Sequence, residues 1–458
     1  MSPALRRALA RLLAADEFRT DPVTLASHAG DKWFSHHEPD VAALPGSVES
    51  IVRILKFAHR HRVPVTARGA GYGYVGGCVP VRGGIALSLI RLNRIREISA
   101  ADFVAVVQPG VILERLQNEV EKRGLYYPPD PASRADCTIG GNLATNAGGP
   151  RCLKYGVTRD YVLGLEVVLA DGTRVRLGGR THKNKAGFDL HRLFVGSEGM
   201  LGIITEATLK LLPLPPFRAC LAAGFADLRG ATQAIRDIFK AGFLPSAVEL
   251  ADAFTLAAAR QRTRSRLLAG CEALCIVELD GQERSVRQEI AALARVIATH
   301  RPVVLRRGFG HDGCEQFWKL RREFSYSLRD TGLTKLNEDV VVPRGKLEAL
   351  FQLAARLQRQ HKLPIACFGH AGDGNIHVNV MLDSSSRDQL ARSERALDDL
   401  FKGILALGGR ITGEHGIGLA KKPWWPIAVS AEARVMHRVV KHALDPRGIL
   451  NPGKFLDP

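Results

Sequence analysis

The glycine-bracketed stretch from Gly369 to Asn379 constrains the fold and chemistry of this chain more than any other. An apolar run, Pro364 to Phe368, precedes it, and alternating apolar and polar residues follow it. This pattern predicts two strands joined by a tight Gly-Asp-Gly turn. The turn would place His370 beside the start of the second strand, near His377. Alternate side chains of a strand share a face, so His377 and Asn379 are expected to point the same way.

Two imidazoles on one side of a hairpin provide half of a divalent metal site. A second glycine-flanked patch, Gly413 to Gly418, offers a carboxylate at Glu414 and an imidazole at His415. A lone histidine is more often structural than metal-binding, but the pair together with the Glu-His patch favours ligation. We therefore interpret the two patches as parts of one metal site.

Composition limits the class of protein. A chain of 458 residues exceeds the size of a single hydrophobic core, which indicates two or three domains. The first 20 residues contain Asp16 and Glu17 and no uninterrupted apolar run, so they predict an amphipathic helix rather than a targeting peptide. The eight cysteines form no Cys-x-x-Cys pair, which favours free thiols and gives no iron–sulfur spacing.

The net charge of +18 indicates anionic partners: nucleic acid, an anionic membrane surface, or small anionic substrates and cofactors. The arginines are spread over the whole chain and have no interleaved aromatic residues, which argues against nucleic-acid binding.

Two segments of the first half are rich in glycine and small residues. The loop from Arg68 to Gly77 has five glycines in ten residues, which leaves backbone N–H groups open to an anion. The segment from Pro128 to Gly149 predicts a long irregular loop whose backbone lies against a flat ligand. Prolines at 213, 215 and 216 predict a domain boundary.

Together these motifs resemble the FAD-linked 2-hydroxyacid dehydrogenases, which have a fold of the vanillyl-alcohol-oxidase type. That family includes D-lactate dehydrogenases, D-2-hydroxyglutarate dehydrogenases and the flavin subunit of glycolate oxidase. The motifs are Arg-Gly-x-Gly at 68, Pro-Pro-Asp-Pro at 128 with the glycine-rich run after it, Gly-Ser-Glu-Gly at 196, and the two histidine patches. The resemblance extends from Asp31 to Lys454.

The resemblance implies an α+β fold with a two-part FAD-binding domain, residues 1–215. An α+β cap domain with the metal-site hairpin would follow at 216–409, and a C-terminal segment, 410–458, would return to the FAD domain. FAD is expected to bind non-covalently, because no histidine stands in the first glycine-rich loop. Tyr72 and Val75 replace hydroxyl residues common in the family, so main-chain donors are expected to take their place. The implied cofactor-binding residues are Arg68, Gly69, Ala70, Gly71, Gly73, Gly76, Gly77, Pro131, Ser133, Thr138, Gly141, Asn142, Ala144, Gly148 and Ile204.

By the same resemblance, His370, His377 and Glu414 would bind a divalent metal, Zn, Mn or Fe, and His415 would act as the base. Arg321 would bind the substrate carboxylate, with Asn379 beside it; the alternative for Arg321 is a solvated helix face. The expected reaction is oxidation of a small D-2-hydroxyacid, D-lactate or glycolate. Asn337 stands where relatives acting on dicarboxylates carry lysine, which weakens the 2-hydroxyglutarate alternative, although Lys335 is nearby. A metal-free alcohol or sugar oxidase is a further alternative.

The expected partners are a small anionic 2-hydroxyacid and an electron-acceptor protein or partner subunit, with no nucleic acid. We expect a cytoplasmic homodimer, with peripheral contact to anionic lipid of the inner membrane as one way to use the positive charge.

Overall fold

The computed structural model describes residues 1–456, whose contacts divide them into two units. Unit 1 comprises residues 1–147, 157–214 and the described residues from 414 onward, and unit 2 comprises residues 148–156 and 215–413. The chain therefore passes from one unit to the other after Ala147, Gly156, Leu214 and Gly413. The sequence pattern did not indicate that residues 148–156 belong to unit 2.

The strands of unit 1 form two main sheets. They are β1 (Phe18–Arg19), β2 (Val41–Ala43), β3 (Val65–Arg68), β4 (Ile85–Ser88), β5 (Ile95–Ser99), β6 (Val104–Val107), β7 (Leu125–Tyr126), β8 (Val162–Val168), β9 (Arg174–Gly178), β10 (Ile203–Lys210) and β11 (Leu212–Pro213). One sheet has the order β1-β2-β4-β3, with β4 parallel to both β2 and β3. The other is antiparallel, in the order β5-β6-β10-β8-β9, and β7 pairs with β11.

Seven α-helices precede residue 214 in the described chain. They are α1 (Pro3–Ala10), α2 (Pro22–Ser27), α3 (Val48–His61), α4 (Leu113–Glu121), α5 (Ile139–Thr145), α6 (Cys152–Tyr155), which lies in unit 2, and α7 (Leu190–Phe194). Parallel strands need a crossover, and α3 supplies the one between β2 and β3. Ser47 caps α3 by accepting the Ser50 N–H, and the buried face of α3 includes Ile51, Ile54 and Leu55.

Two expectations for unit 1 were wrong. The first helix is shorter than the 20 residues expected, because α1 ends at Ala10 and the chain then enters β1. The segment from Pro128 to Gly149, predicted as irregular, contains α5. Two glycines lower the intrinsic helix propensity of this stretch, which is why no helix was predicted there. Thr138 starts this helix by accepting the Gly141 N–H, and Asn146 ends it in the left-handed conformation.

Unit 2 is built on one seven-stranded antiparallel sheet in the order β15-β12-β14-β13-β17-β18-β16. Its strands are β12 (Phe217–Phe225), β13 (Ala247–Ala251), β14 (Ala273–Gly281), β15 (Val304–Phe309), β16 (Thr334–Val341), β17 (Ile365–His370) and β18 (Asn375–Leu382). Its longer helices are α8 (Leu228–Lys240), α9 (Ala253–Thr263), α10 (Glu283–Ala298), α11 (Gly310–Arg329), α12 (Leu347–His361) and α13 (Arg387–Ala406).

Helices α9 and α11 cover one face of this sheet. Leu256 of α9 and Phe324 of α11 share an apolar cluster with Ile276 and Phe368 of the strands. Cross-strand partners share a face, and the register pairs Glu249 with His370 and Phe368 with His377. The register therefore places Glu249, His370 and His377 on the same sheet face as the apolar cluster.

After Gly413 the chain belongs to unit 1 and forms α14 (Trp425–Ala428) and α15 (Ala431–Leu444). All eight cysteines are free thiols, as predicted. Within residues 1–456, no helix is both long and apolar enough to cross a bilayer.

Candidate active site

Two buried histidines lie on the predicted hairpin, which is present as β17 and β18. Gly374 closes its turn with φ of +86°, a conformation that glycine adopts readily. The ring centroids of His370 and His377 are 5.6 Å apart, and a nitrogen of one lies within 4.8 Å of a nitrogen of the other. The hairpin therefore brings together two side chains that can bind one ion.

A buried carboxylate, Glu249 on β13, connects His370 with Arg321. Its Oε1 lies 2.6 Å from His370 Nδ1, and its Oε2 accepts a hydrogen bond from Arg321 Nε. Burial alone raises the pKa of Glu249, but the charges of Arg321 and His370 outweigh it and lower the pKa to about 2. Because Glu249 is then ionised, Nδ1 of His370 carries the proton in this hydrogen bond, and the lone pair of a neutral ring is on Nε2.

Arg321 lies on α11 and is largely buried, so it is not on a solvated helix face. Its side chain is 11% exposed, and its guanidinium lies 4.8 Å from the centroid of the Phe368 ring. The pairing with Glu249 uses Nε, so the two Nη groups are the remaining donors of the guanidinium. A planar fork of this kind suits a carboxylate.

Two further buried polar side chains, Asn379 and Asp339, lie on the paired strands β18 and β16. Asn379 is fully buried, and its Nδ2 donates to the main-chain oxygens of Ala366 and His377. Asp339 is fully buried as well and accepts hydrogen bonds from Asn375 Nδ2 and Gly413 N, at 2.6 and 2.9 Å. Asp339 thus fixes the last residue of unit 2.

The glycine-rich loop of unit 1, which the sequence predicts to bind a phosphate, has glycines where a side chain would clash or be strained. A methyl group on Gly69 would come within 2.3 Å of Thr138 Oγ1, so this position has no room for a side chain. Gly71 and Gly76 have φ of +74° and +70°. Arg68 begins the loop, and its Nη1 donates to the Gly30 oxygen.

Most other residues predicted to bind the cofactor also lie in unit 1. Thr138 caps α5, which carries Gly141, Asn142 and Ala144. Ile204 is on β10, and Pro131 and Ser133 belong to the turn before α5. Gly148 is the exception, because it belongs to unit 2.

Glu414 and His415 belong to unit 1, where Glu198 holds the loop that follows them. Glu198 Oε1 and Oε2 accept the N–H groups of Ile417 and Gly418 at 2.7 and 2.8 Å. His415 stacks on Tyr74 of the glycine-rich loop with ring centroids 5.2 Å apart, and its Nε2 is 3.6 Å from Glu414 Oε1. The predicted base thus lies against the predicted pyrophosphate loop.

Family models match most of the chain. One described as "FAD binding domain" matches residues 39–178, and one described as "FAD linked oxidases, C-terminal domain" matches residues 214–455. Glycolate oxidase subunit GlcD of Bacillus subtilis is 39% identical over 91% of this chain and 89% of its own length. This chain belongs to the FAD-linked oxidases.

Two further relatives narrow the type of FAD-linked oxidase. D-lactate dehydrogenase of Anaerostipes hadrus is 33% identical over 97% of this chain and 94% of its own. D-2-hydroxyglutarate dehydrogenase of Xanthomonas citri is 34% identical over 98% and 96%. The chain is therefore an FAD-linked oxidoreductase of the type to which these relatives belong.

The solved structures confirm the fold of this FAD-linked oxidase. Substrate-bound p-cresol methylhydroxylase has a TM-score of 0.82 at 19% identity, covering 99% of this chain and 96% of its own. The 4-ethylphenol oxidase of Gulosibacter chungangensis has a TM-score of 0.80 at 21% identity, with coverage of 99% and 97%. The predicted fold of the vanillyl-alcohol-oxidase type is correct.

The residues present fit both groups that the sequence implies. The close approach at Gly69 and the positive φ at Gly71 and Gly76 fit a loop that wraps a pyrophosphate. His370 and His377 fit a divalent ion, because the hydrogen bond to Glu249 places the lone pair of a neutral His370 ring on Nε2.

Sequence analysis missed three residues that organise these sites: Glu249, Asp339 and Glu198. Glu249 lies 121 residues from His370 in the chain, and only the register of β13 and β17 reveals their contact. Glu198 stood in a recognised motif, but the motif gave no sign of its partners at Ile417 and Gly418.

Proposed function

We propose that this FAD-linked oxidase oxidises a small D-2-hydroxyacid, D-lactate or glycolate, to the 2-oxoacid. The observation that carries the proposal is the shared carboxylate of Glu249, which joins a buried metal-type histidine to a buried arginine. A 2-hydroxyacid has a hydroxyl and a carboxylate on neighbouring carbons. A metal ligand such as His370 suits the hydroxyl, and the guanidinium of Arg321 suits the carboxylate.

The proposed site has separate residues for the substrate and for the metal. The Nη groups of Arg321 bind the substrate carboxylate in a bidentate contact. His370 and His377, together with Glu414, are the proposed metal ligands, and Asp339 fixes the position of Gly413, to which Glu414 is joined by a peptide bond. Glu414 is proposed as the third ligand for two reasons: its carboxylate can donate to a metal ion, and its neighbour Gly413 is held in position by Asp339.

His415 is the proposed base. It takes the hydroxyl proton of the substrate, and its stacking on Tyr74 holds the ring in one orientation. FAD supplies the acceptor for the hydride that leaves Cα, and a divalent ion, Zn, Mn or Fe, supplies a lowered pKa for the substrate hydroxyl. We further propose that FAD is bound non-covalently and that a separate acceptor protein reoxidises it.

One observation favours D-2-hydroxyglutarate as a second candidate substrate. The Nζ of Lys335 lies 2.8 Å from Ser325 Oγ on α11, and Ser325 is four residues after Arg321 on the same helix face. Burial lowers the pKa of Lys335 to about 8, and an anionic group bound there would favour its charged form. A second carboxylate could therefore bind one helical turn from Arg321.

The test is anaerobic reduction of the flavin, followed as loss of its visible absorption. D-lactate, L-lactate, glycolate and D-2-hydroxyglutarate are each added to FAD-loaded protein with and without a chelator. We expect one or more of the D-hydroxyacids or glycolate to bleach the flavin, and His415→Ala and the chelator to slow bleaching at least about 100-fold. His437→Ala, at an exposed position on α15, is the matched control. Rapid bleaching by L-lactate alone, or bleaching indifferent to chelator and to His415→Ala, would contradict the proposal.

A further inference from the structure

We propose that Glu249 is a positioning residue that sets the metal-binding form of His370 and the orientation of Arg321 together. This inference rests on the proposed function, because it concerns the same site. No feature of the sequence assigned Glu249 a role.

Glu249 is buried, and both of its carboxylate oxygens contact residues of the proposed site. Its side chain is 1% exposed, so it cannot contact bulk solvent. One oxygen contacts His370 Nδ1 and the other accepts from Arg321 Nε, so both oxygens of one carboxylate are engaged by groups of the proposed site. A shift of either partner therefore changes the position that Glu249 offers to the other.

The first consequence concerns the histidine. A carboxylate on Nδ1 fixes the tautomer and the plane of the ring, and it makes Nε2 a better ligand. Loss of such a carboxylate typically weakens metal binding by about 10- to 100-fold.

The second consequence concerns the arginine. With Nε held by Glu249 and the guanidinium over Phe368, rotation of the fork about its long axis is restricted. The Nη groups are then preorganised for a carboxylate before the substrate arrives. Removal of Glu249 should raise the substrate KM by a larger factor than it lowers kcat.

The chain offers a matched control in Glu278 on the neighbouring strand β14. Glu278 is also 1% exposed and also pairs with an arginine, Arg151, at 2.8 Å, while Trp318 Nε1 donates to it at 2.6 Å. Neither His370 nor His377 is among these partners of Glu278. A substitution there disturbs a buried Glu–Arg pair and leaves the contacts of Glu249 with His370 and Arg321 in place.

The test is a Mn²⁺ titration of FAD-loaded protein, in which the electron paramagnetic resonance signal of the free ion counts what is not bound. Wild type, Glu249→Gln, Glu249→Ala, Glu278→Gln and His370→Ala are compared after circular dichroism has confirmed folding. Glu249→Gln retains an acceptor for Nδ1 and should weaken Mn²⁺ binding by about 10-fold, and Glu249→Ala by about 100-fold. Glu278→Gln should remain within about 2-fold of wild type.

The outcomes separate the two proposals. If His370→Ala binds Mn²⁺ as tightly as wild type, the ion is not at the hairpin, and both the metal-assisted function and this inference are overturned. If His370→Ala loses Mn²⁺ but the Glu249 variants do not differ from Glu278→Gln, only the positioning role is overturned.

Discussion

Glu198 offers the sharpest test of how unit 1 holds the loop that carries the proposed base. The change is Glu198→Ala, which removes the acceptors of the Ile417 and Gly418 N–H groups. A buried amide left without an acceptor costs about 1–3 kcal/mol, so two amides should lower the free energy of unfolding by about 2–6 kcal/mol. Burial raises the pKa of Glu198, because an ionised carboxylate is costly to hold in the protein interior. Glu198→Ala removes this cost, so the loss of stability is expected in the lower part of the range.

The assay is the temperature at which unit 1 releases flavin, followed by the rise in flavin fluorescence. A loss of 1 kcal/mol lowers the midpoint by about 2–4 °C in a unit of this size, so a decrease of roughly 5–15 °C is expected. Glu198→Gln retains one acceptor and should fall between wild type and Glu198→Ala. Glu97→Gln, in a surface pair with Arg180, is the control and should leave the temperature unchanged.

Flavin release by Glu198→Ala within about 2 °C of wild type would contradict this role of Glu198. Equal midpoints for Glu198→Ala and Glu97→Gln would contradict it as well. In the expected case, the rate of flavin reduction should fall as well, because His415 lies two residues before Ile417.

Three other predictions follow from the structure. Gly69→Ala places a methyl group against Thr138 and should weaken FAD binding about tenfold or more in a fluorescence titration, whereas Gly179→Ala, which meets open space, should not. Lys335→Met should raise the free energy of unfolding in denaturant at pH 7 by about 1–3 kcal/mol, because the pKa of Lys335 in the folded protein, about 8, lies below the ordinary 10.5. The cost of burying charged Lys335 is complete below pH 8, so the stability gained by the substitution should fade as the pH rises towards 10.5. Asp339→Ala removes the acceptor of three hydrogen bonds, while Asn375 Nδ2 keeps its bond to the Val340 oxygen, so the substitution should cost about 2 kcal/mol or more in denaturant unfolding; stability equal to wild type would refute the role assigned to this carboxylate.

The parts of the site that sequence could predict are those carried by a single local pattern. The hairpin of His370 and His377 was readable because glycines punctuate two runs of strand-forming residues, and period-two alternation then fixes the faces. The glycine-rich loop after Arg68 was readable because glycines with positive φ leave a local signature. Resemblance to a known family added the cofactor and the order of the motifs.

The parts that sequence could not predict depend on pairing between distant strands. Glu249 reads as one acidic residue in an apolar strand, and its role follows only from the register that sets it opposite His370. Helix α5 was missed because intrinsic propensity disfavours glycine, whereas the Thr138 cap and tertiary packing decided otherwise.

The four passages of the chain between the units also bear on how the protein is made. The main-chain oxygen of Val75 accepts the N–H groups of Leu419 and Ala420, and that of Val79 accepts from Lys454 Nζ. On the ribosome these acceptors emerge more than 300 residues before their donors. We therefore expect the usual N-terminal-first order to be reversed: unit 2 has all its residues once Gly413 is synthesised, while unit 1, begun earlier, lacks these donors until Lys454 has been synthesised.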